Sequence, residues 1–248
     1  MEVHAHSHTP RKKWIHYLWE FLMLFLAVFC GFLAEYQLEH KIEKDREKQF
    51  MHSMVKDLKD DIAKLRVGIA SNTQRLDGLD SLIKNIYHLP YTDSSLRMMY
   101  YLQRKYSGTS ANVQFTKRTI TQLKFSGGLR LIRNMAASDS IVLYDEASES
   151  NERQRSVYLN DSQNKEREFS NKIFDKQFVM NYSRANVQDL LKSNIKVSLL
   201  YTDEKLIKEY ANWLYSSKAV LANYIVQLNA QQQRASRIMQ FLQKEYHL

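Results

Sequence analysis

The chain has 248 residues, room for one or two domains, but only 6 glycines and 2 prolines; so few turn residues exclude many short strands or a Gly-rich nucleotide loop and leave long helices. A single cysteine, Cys30, excludes an intramolecular disulfide framework and any structural zinc site built on several cysteines. Lys and Arg number 36 against 27 Asp and Glu, a net +9 that suits an anionic partner once the compartment is known.

The first thirteen residues read as a short polar tail. His4, His6 and His8 alternate there and are of a metal-binding type, but a flexible tail lacks preorganised geometry and a second shell, so the commoner reading is a solvated tail. The mean hydropathy of −0.50 then hides one apolar block, Phe21 to Ala34, fourteen residues without a charge. A helix needs about 20 apolar residues to cross a core about 30 Å thick, so the block must recruit its flanks. Residues 14–38 supply a span, with Trp14, Tyr17 and Trp19 at one interface and Tyr36 at the other, provided Glu20 is tolerated. A secretory signal peptide would also carry Arg11, Lys12 and Lys13 at its start. The block lacks a small-x-small cleavage site followed by a turn, and Glu35 to Gln49 continues as a helix-forming run, which favours an uncleaved anchor.

Orientation follows from the basic residues. Arg11, Lys12 and Lys13 oppose one acid, Glu2, before the span, whereas residues 35–48 hold four bases and five acids. The positive-inside rule puts the N-terminus in the cytoplasm and everything from about Leu38 outside a bacterial inner membrane, in the periplasm of a Gram-negative host.

Within the span, Glu20, Ala27, Gly31 and Ala34 fall at offsets 0, 7, 11 and 14 and share one stripe of the helix. Ala27-x-x-x-Gly31 is a small-x-x-x-small pattern that permits close helix packing, and a carboxyl on that face avoids lipid by hydrogen bonding to a neighbouring helix. His16, one turn earlier, can pair with Glu20. Two readings of Glu20 stand: a proton-responsive or partner-binding carboxyl, and an interfacial one whose head reaches water, which Trp19 beside it favours.

After a polar neck, Glu43 to Gln49, apolar positions recur at 51, 55, 58, 62, 65, 69, then Asn72, then 76, 79, 83 and 86. This 4-3-4-3 spacing predicts a coiled-coil seam on a helix that stops near His88, weakened locally by Gly68 and Gly78. Thr92 to Lys105 predicts a short helix ended by Ser107-Gly108, and Thr116 to Phe125 another ended by Gly127-Gly128. A long helix follows from about Ser138 to Phe178, with Ile141, Tyr144, Ala147, Tyr158, Phe169 and Ile173 on its apolar side; its nearly all-polar stretch, Glu146 to Arg155, makes it the least secure. Residues 181–193 have room for one short helix, and Ile195 to Tyr201 is a β-like run too isolated for a sheet. The final helix, about 203–246 with Thr202 as N-cap, repeats the seam at Tyr210, Leu214, Ser217, Leu221, Tyr224, Leu228, Gln231, Ala235, Ile238 and Leu242.

Two stretches, Trp19 to Glu35 and Thr119-Ile120-Thr121-Gln122-Leu123-Lys124-Phe125-Ser126-Gly127-Gly128-Leu129-Arg130-Leu131-Ile132-Arg133-Asn134, resemble an uncharacterised family of single-pass membrane proteins common in Bacteroidota. The resemblance covers about a fifth of the chain and implies one N-terminal span carrying a glutamate, a helical extracytoplasmic domain and a helix junction at the second stretch. It implies no chemistry. The chain departs from that family after the span, where Glu35 to His40 replaces an Asn-Asn-Trp-Asn-like sequence.

The Ser126-Gly127-Gly128 junction gathers Lys117, Arg118, Lys124, Arg130 and Arg133, of which Lys124, Arg130 and Arg133 are the candidate contacts for an anion or partner. A Gly-capped turn with solvated basic side chains explains the same residues. No G-x-S-x-G, H-E-x-x-H, P-loop or C-x-x-C is present, so neither an enzyme nor a cofactor is expected. The charges assigned so far, +2 before the span, −1 at Glu20 and −1 over residues 35–48, leave +9 on residues 49–248. Outside the membrane such a domain meets anionic lipid head groups or envelope polymers, and this topology argues against nucleic acid.

The expectation is therefore an all-α protein with a cytoplasmic tail (1–13), a transmembrane helix (14–38) and a long antiparallel helical bundle outside (39–248). Its expected role is a non-enzymatic envelope scaffold that assembles with itself or another membrane protein in the bilayer. The alternative is a helical sensor, for which the thirteen residues before the span leave little room for an output module.

Overall fold

The structure, a computed structural model, describes residues 14–88 and 90–248. It is all-α: the described residues form six α-helices, α1 (Trp14–Ile86), α2 (Asp93–Tyr106), α3 (Arg118–Phe125), α4 (Met135–Gln154), α5 (Asn160–Ile173) and α6 (Glu204–Tyr246), with short 3₁₀ turns between α3 and α4 and between α5 and α6. The β-like run 195–201 makes one isolated antiparallel bridge, Phe174 to Leu199, and no strand appears among the described residues. The chain divides into two compact units, Met1–Gln49 and Phe50–Leu248, so the division falls eleven residues beyond the expected end of the span at Leu38. The tail and its three histidines lie outside the described residues.

The described part of the first unit is the N-terminal stretch of α1. An 18-residue window there has a mean hydropathy of 2.0 and none of it is buried, so by length and composition it can cross a membrane. Its large apolar side chains, from Trp14 through Phe21, Phe25 and Phe29 to Tyr36, all face outward. In water that exposure would be costly, at about 25 cal/mol per Å² of apolar surface left wet.

In the second unit all ten positions of the final seam, Tyr210 to Leu242, are buried. The α1 seam is buried at Met51, Leu58, Leu65, Asn72, Leu79, Ile83 and Ile86 and half-buried at the positions between. A second strip of α1 is also covered: Met54, Asp57, Asp61, Gly68, Arg75, Gly78 and Leu82. Two faces are thus occupied, where a coiled-coil seam occupies one. Asp80 of α1 pairs with Lys218 of α6, while Met51, Met54 and Leu58 share a cluster with Ala235, Ile238 and Leu242, so rising numbers on α1 match falling numbers on α6.

The core is two apolar clusters, one around Leu65, Leu79, Tyr100, Tyr210 and Leu221, the other around Met51, Leu58, Ile141 and Leu242. Along α6 the buried Gln231 falls between them. It donates to the Tyr144 carbonyl (3.0 Å) and to Ser148 Oγ (2.8 Å), while Tyr144 Oη donates to Asp61 Oδ2 (2.9 Å). A buried amide is tolerated because its donors find partners.

The element ends follow from local chemistry. At α2, Thr92 and Ser95 cap each other reciprocally. The α6 cap is Asp203, which accepts from Leu206 N (2.7 Å), rather than the expected Thr202; a carboxylate there satisfies a free N–H and also opposes the helix dipole. The long helix expected from Ser138 to Phe178 begins earlier, at Met135, because Asn134 accepts from Ala137 N, and ends earlier, at Ile173. It is broken by a π turn, Arg155–Leu159, just after the polar stretch. The extra residue in such a turn shifts the register, which leaves Tyr158 63% exposed and buries Leu159 instead, correcting the expected apolar side.

Candidate functional site

The expected membrane-packing residues Glu20, Ala27, Gly31 and Ala34 all lie on α1 in its exposed N-terminal stretch. His16 Nε2 lies 3.6 Å from Glu20 Oε1, as their i,i+4 spacing suggested. A Cβ added at Gly31 would meet no atom within 4 Å, so nothing among the described residues fills the groove that glycine leaves.

The second expected cluster is scattered among internal partners. Lys124, in the last turn of α3, pairs with Asp145 of α4, with Glu149 at 3.9 Å. Lys117 pairs with Glu152 (2.8 Å), and Arg118 with Asp57 (2.6 Å) and Asp60 (3.1 Å). Arg130 and Arg133 are exposed on the connection to α4. At Lys117, Arg118 and Lys124 an anion would have to displace carboxylates already in place. Gly127 sits at φ 69°, the left-handed region that favours glycine, so the junction has the geometry of a Gly turn.

Two carboxylates that periodicity alone did not single out hold this end together. Asp57 accepts from Thr119 N (3.0 Å) and Thr119 Oγ1 (2.7 Å), and Asp61 accepts from Thr116 N (2.8 Å) and Thr116 Oγ1 (2.7 Å). Spaced i,i+4 on α1, they bond backbone donors at and just before the start of α3. Burial and the neighbouring Asp61 carboxylate hold the Tyr144 phenol far above its ordinary range, so it remains a hydrogen-bond donor.

A strongly cationic concavity lies elsewhere in the second unit. A pocket of about 370 Å³ is walled by the end of α2 (Gln103, Arg104) with its cap Ser107-Gly108, by Arg167, Ser170 and Asn171 of α5, and by Lys176, Val179, Met180 and Arg184 after it. Four lining residues are cationic and none is acidic. Gly108 turns the chain at φ 67°, which ends α2 and presents its cap to the pocket.

Beneath the turn lies Glu166, fully buried. It accepts from Arg75 Nη2 at 2.8 and 3.1 Å, from Ser107 Oγ at 3.0 Å and from Gly108 N at 2.6 Å. Arg75 Nε also donates to the Tyr106 carbonyl (2.9 Å), and Ser107 Oγ lies 3.2 Å from Tyr210 Oη. The Glu166 carboxylate is thus already neutralised by a guanidinium from α1.

The four pocket cations rest on neutral acceptors. Arg104 donates to the Tyr182 carbonyl (3.1 Å), Arg184 to the Ser107 carbonyl (3.3 Å), Arg167 to the Gly108 carbonyl (3.0 Å) and to Asn164 Oδ1, and Lys176 to Ser170 Oγ. None of the four makes an ion pair among the described residues. Burial, with Arg104 adding to it, pushes the Lys176 ammonium down to about 8. Burial and then Arg104, Arg75 and Arg167 push Arg184 down as well, against the opposing pull of Glu166. Such a group of charges stores repulsion that an anion would relieve.

Periodicity could not reveal this pocket, because its cations come from positions 104, 167, 176 and 184, and the last two lie in irregular chain. The one signal was the +9 on residues 49–248. The described residues contain no group of three or more His, Cys, Asp or Glu placed to hold a metal. Compared with known proteins, the chain matches no family model, no curated protein and no solved structure.

Proposed function

We propose that the protein is a single-pass, membrane-anchored interaction protein without enzymatic activity, its N-terminus in the cytoplasm and its helical domain outside the bacterial inner membrane. The observation that carries this reading is the contrast between an 18-residue apolar window with no buried residue and a second unit with a packed core. The basic residues before the span and the aromatic residues at its ends support the orientation and the boundaries. The opposed numbering of α1 and α6 supports an antiparallel, coiled-coil-like bundle as the scaffold of the outer domain. The stripe of Glu20, Ala27, Gly31 and Ala34 supports assembly with a second copy or with another membrane protein.

Membranes washed with alkaline carbonate should retain the full chain, and mild detergent should release it together with a second copy or a defined partner. A chain that washes off, or that is recovered as a lone monomer, contradicts the reading. The sensor reading is favoured by one feature, the cationic pocket, and it requires that a ligand there change which proteins are recovered.

A further inference from the structure

We infer that the pocket between the end of α2, α5 and the segment 176–184 binds a phosphate monoester, carried by a soluble molecule or by a lipid head group. The inference does not depend on where the domain resides, so its failure would leave the anchor reading intact.

Three observations carry it. First, Arg104, Arg167, Lys176 and Arg184 line a single pocket with no acid among the lining residues. Elsewhere in the second unit several cations have found carboxylates: Arg75 with Glu166, Arg118 with Asp57, Lys124 with Asp145, Lys218 with Asp80. Here four cations line one pocket and none of them has a carboxylate partner among the described residues.

Second, the donors that remain suit a tetrahedral dianion. A guanidinium carries five N–H donors, and the protein's own acceptors take one from Arg104, two from Arg167 and one from Arg184. Planar guanidinium forks match phosphoryl oxygens two at a time, and a doubly charged group with three terminal oxygens can engage several at once. A single carboxylate brings one charge and two oxygens, and would leave most of the repulsion in place.

Third, the volume and the walls fit an ester. About 370 Å³ lies in the range of small-molecule sites and exceeds what a phosphoryl group alone occupies. Val179 and Met180 offer an apolar wall for the organic part.

The test uses the full chain in neutral detergent, with glycerol 3-phosphate as the soluble probe and sodium chloride and sodium acetate at matched ionic strength as references. For the lipid source, the chain is placed in phosphatidylcholine nanodiscs with and without phosphatidic acid. Glycerol 3-phosphate, phosphatidic acid or both should raise the melting temperature by about 5 °C over the references, the size expected near a hundredfold excess over Kd. A response to glycerol 3-phosphate assigns a soluble source, and a response to phosphatidic acid alone assigns a lipid.

Lys176→Met and Arg184→Gln should each weaken the response at least about tenfold, one lost charge-assisted contact, while Lys205→Gln, exposed on α6 and outside the pocket, leaves it unchanged. Each pocket variant removes one of several like charges, so its unliganded melting temperature should equal or exceed that of the wild type. If one fails to fold, the other decides. No shift above both references, a shift that acetate matches, or a shift that survives in the folded pocket variants overturns the inference.

Discussion

Arg75 of α1 and Glu166 of α5 form an ion pair in which Nη2 donates to both carboxylate oxygens, at 2.8 and 3.1 Å, with 5% and none of their side chains exposed. The two residues are 91 positions apart, and the pair ties the second strip of α1 to the turn that ends α2. Glu166→Gln keeps the shape but leaves the Arg75 charge buried and unpaired, which should cost about 3–5 kcal/mol. Adding Arg75→Met should cost much less than a second loss of that size, because the two changes remove one interaction. Urea unfolding of the full chain in detergent, followed by circular dichroism, checks the cycle; additive losses would mean the residues act separately.

Gly78 separates helix propensity from packing. Alanine inside a helix ordinarily stabilises by about 0.5–1 kcal/mol over glycine. Here its Cβ would lie 2.2 Å from Cγ of the Tyr106 ring, the rooted end of that side chain. Gly78→Ala should therefore destabilise by about 1–3 kcal/mol through overpacking. A raised urea midpoint would show that α2 does not lie where its last turn is placed against α1.

Lys176 gives the pocket a pH signature. Its folded value of about 8 lies below the ordinary 10.5, so between these values the unfolded chain holds the proton more tightly than the folded one. Stability owed to this group rises with pH across that window and is lowest below pH 8. Lys176→Met should exceed the wild type in melting temperature most at pH 7, and the gap should narrow between pH 8 and 10. A gap that is constant over the range would place the ammonium in water.

Much of this fold was legible in the sequence. The seam from Tyr210 to Leu242 named ten buried positions because a helix packed along its whole length imposes a single period. The π turn was not legible, since an extra residue breaks the period it would be read from, and Tyr158 was assigned inward as a result. Gly68 and Gly78, which looked like weaknesses of α1, mark where Val113 and Tyr106 approach too closely for a Cβ. That relationship, like the gathering of Arg104, Arg167, Lys176 and Arg184, depends on chain crossings that no local pattern encodes.

The membrane stripe makes a prediction with an internal control. Because a Cβ at Gly31 meets nothing within 4 Å, Gly31→Leu should leave the chain itself undisturbed and act only on association between helices. It should abolish recovery of the second copy or partner from detergent, while Glu20→Gln, which keeps hydrogen-bonding capacity, should preserve it if the carboxyl serves packing. Undiminished association of Gly31→Leu would reduce the stripe to coincidence.

The central claim, an anchored domain held outside the cytoplasm, is tested most directly by topology. A reporter phosphatase that folds only outside the cytoplasm is fused after Leu248 in one strain and ahead of Met1 in another. The C-terminal fusion should be active and the N-terminal fusion silent, as expected if Arg11, Lys12 and Lys13 remain inside. Activity from the N-terminal fusion alone would contradict the account.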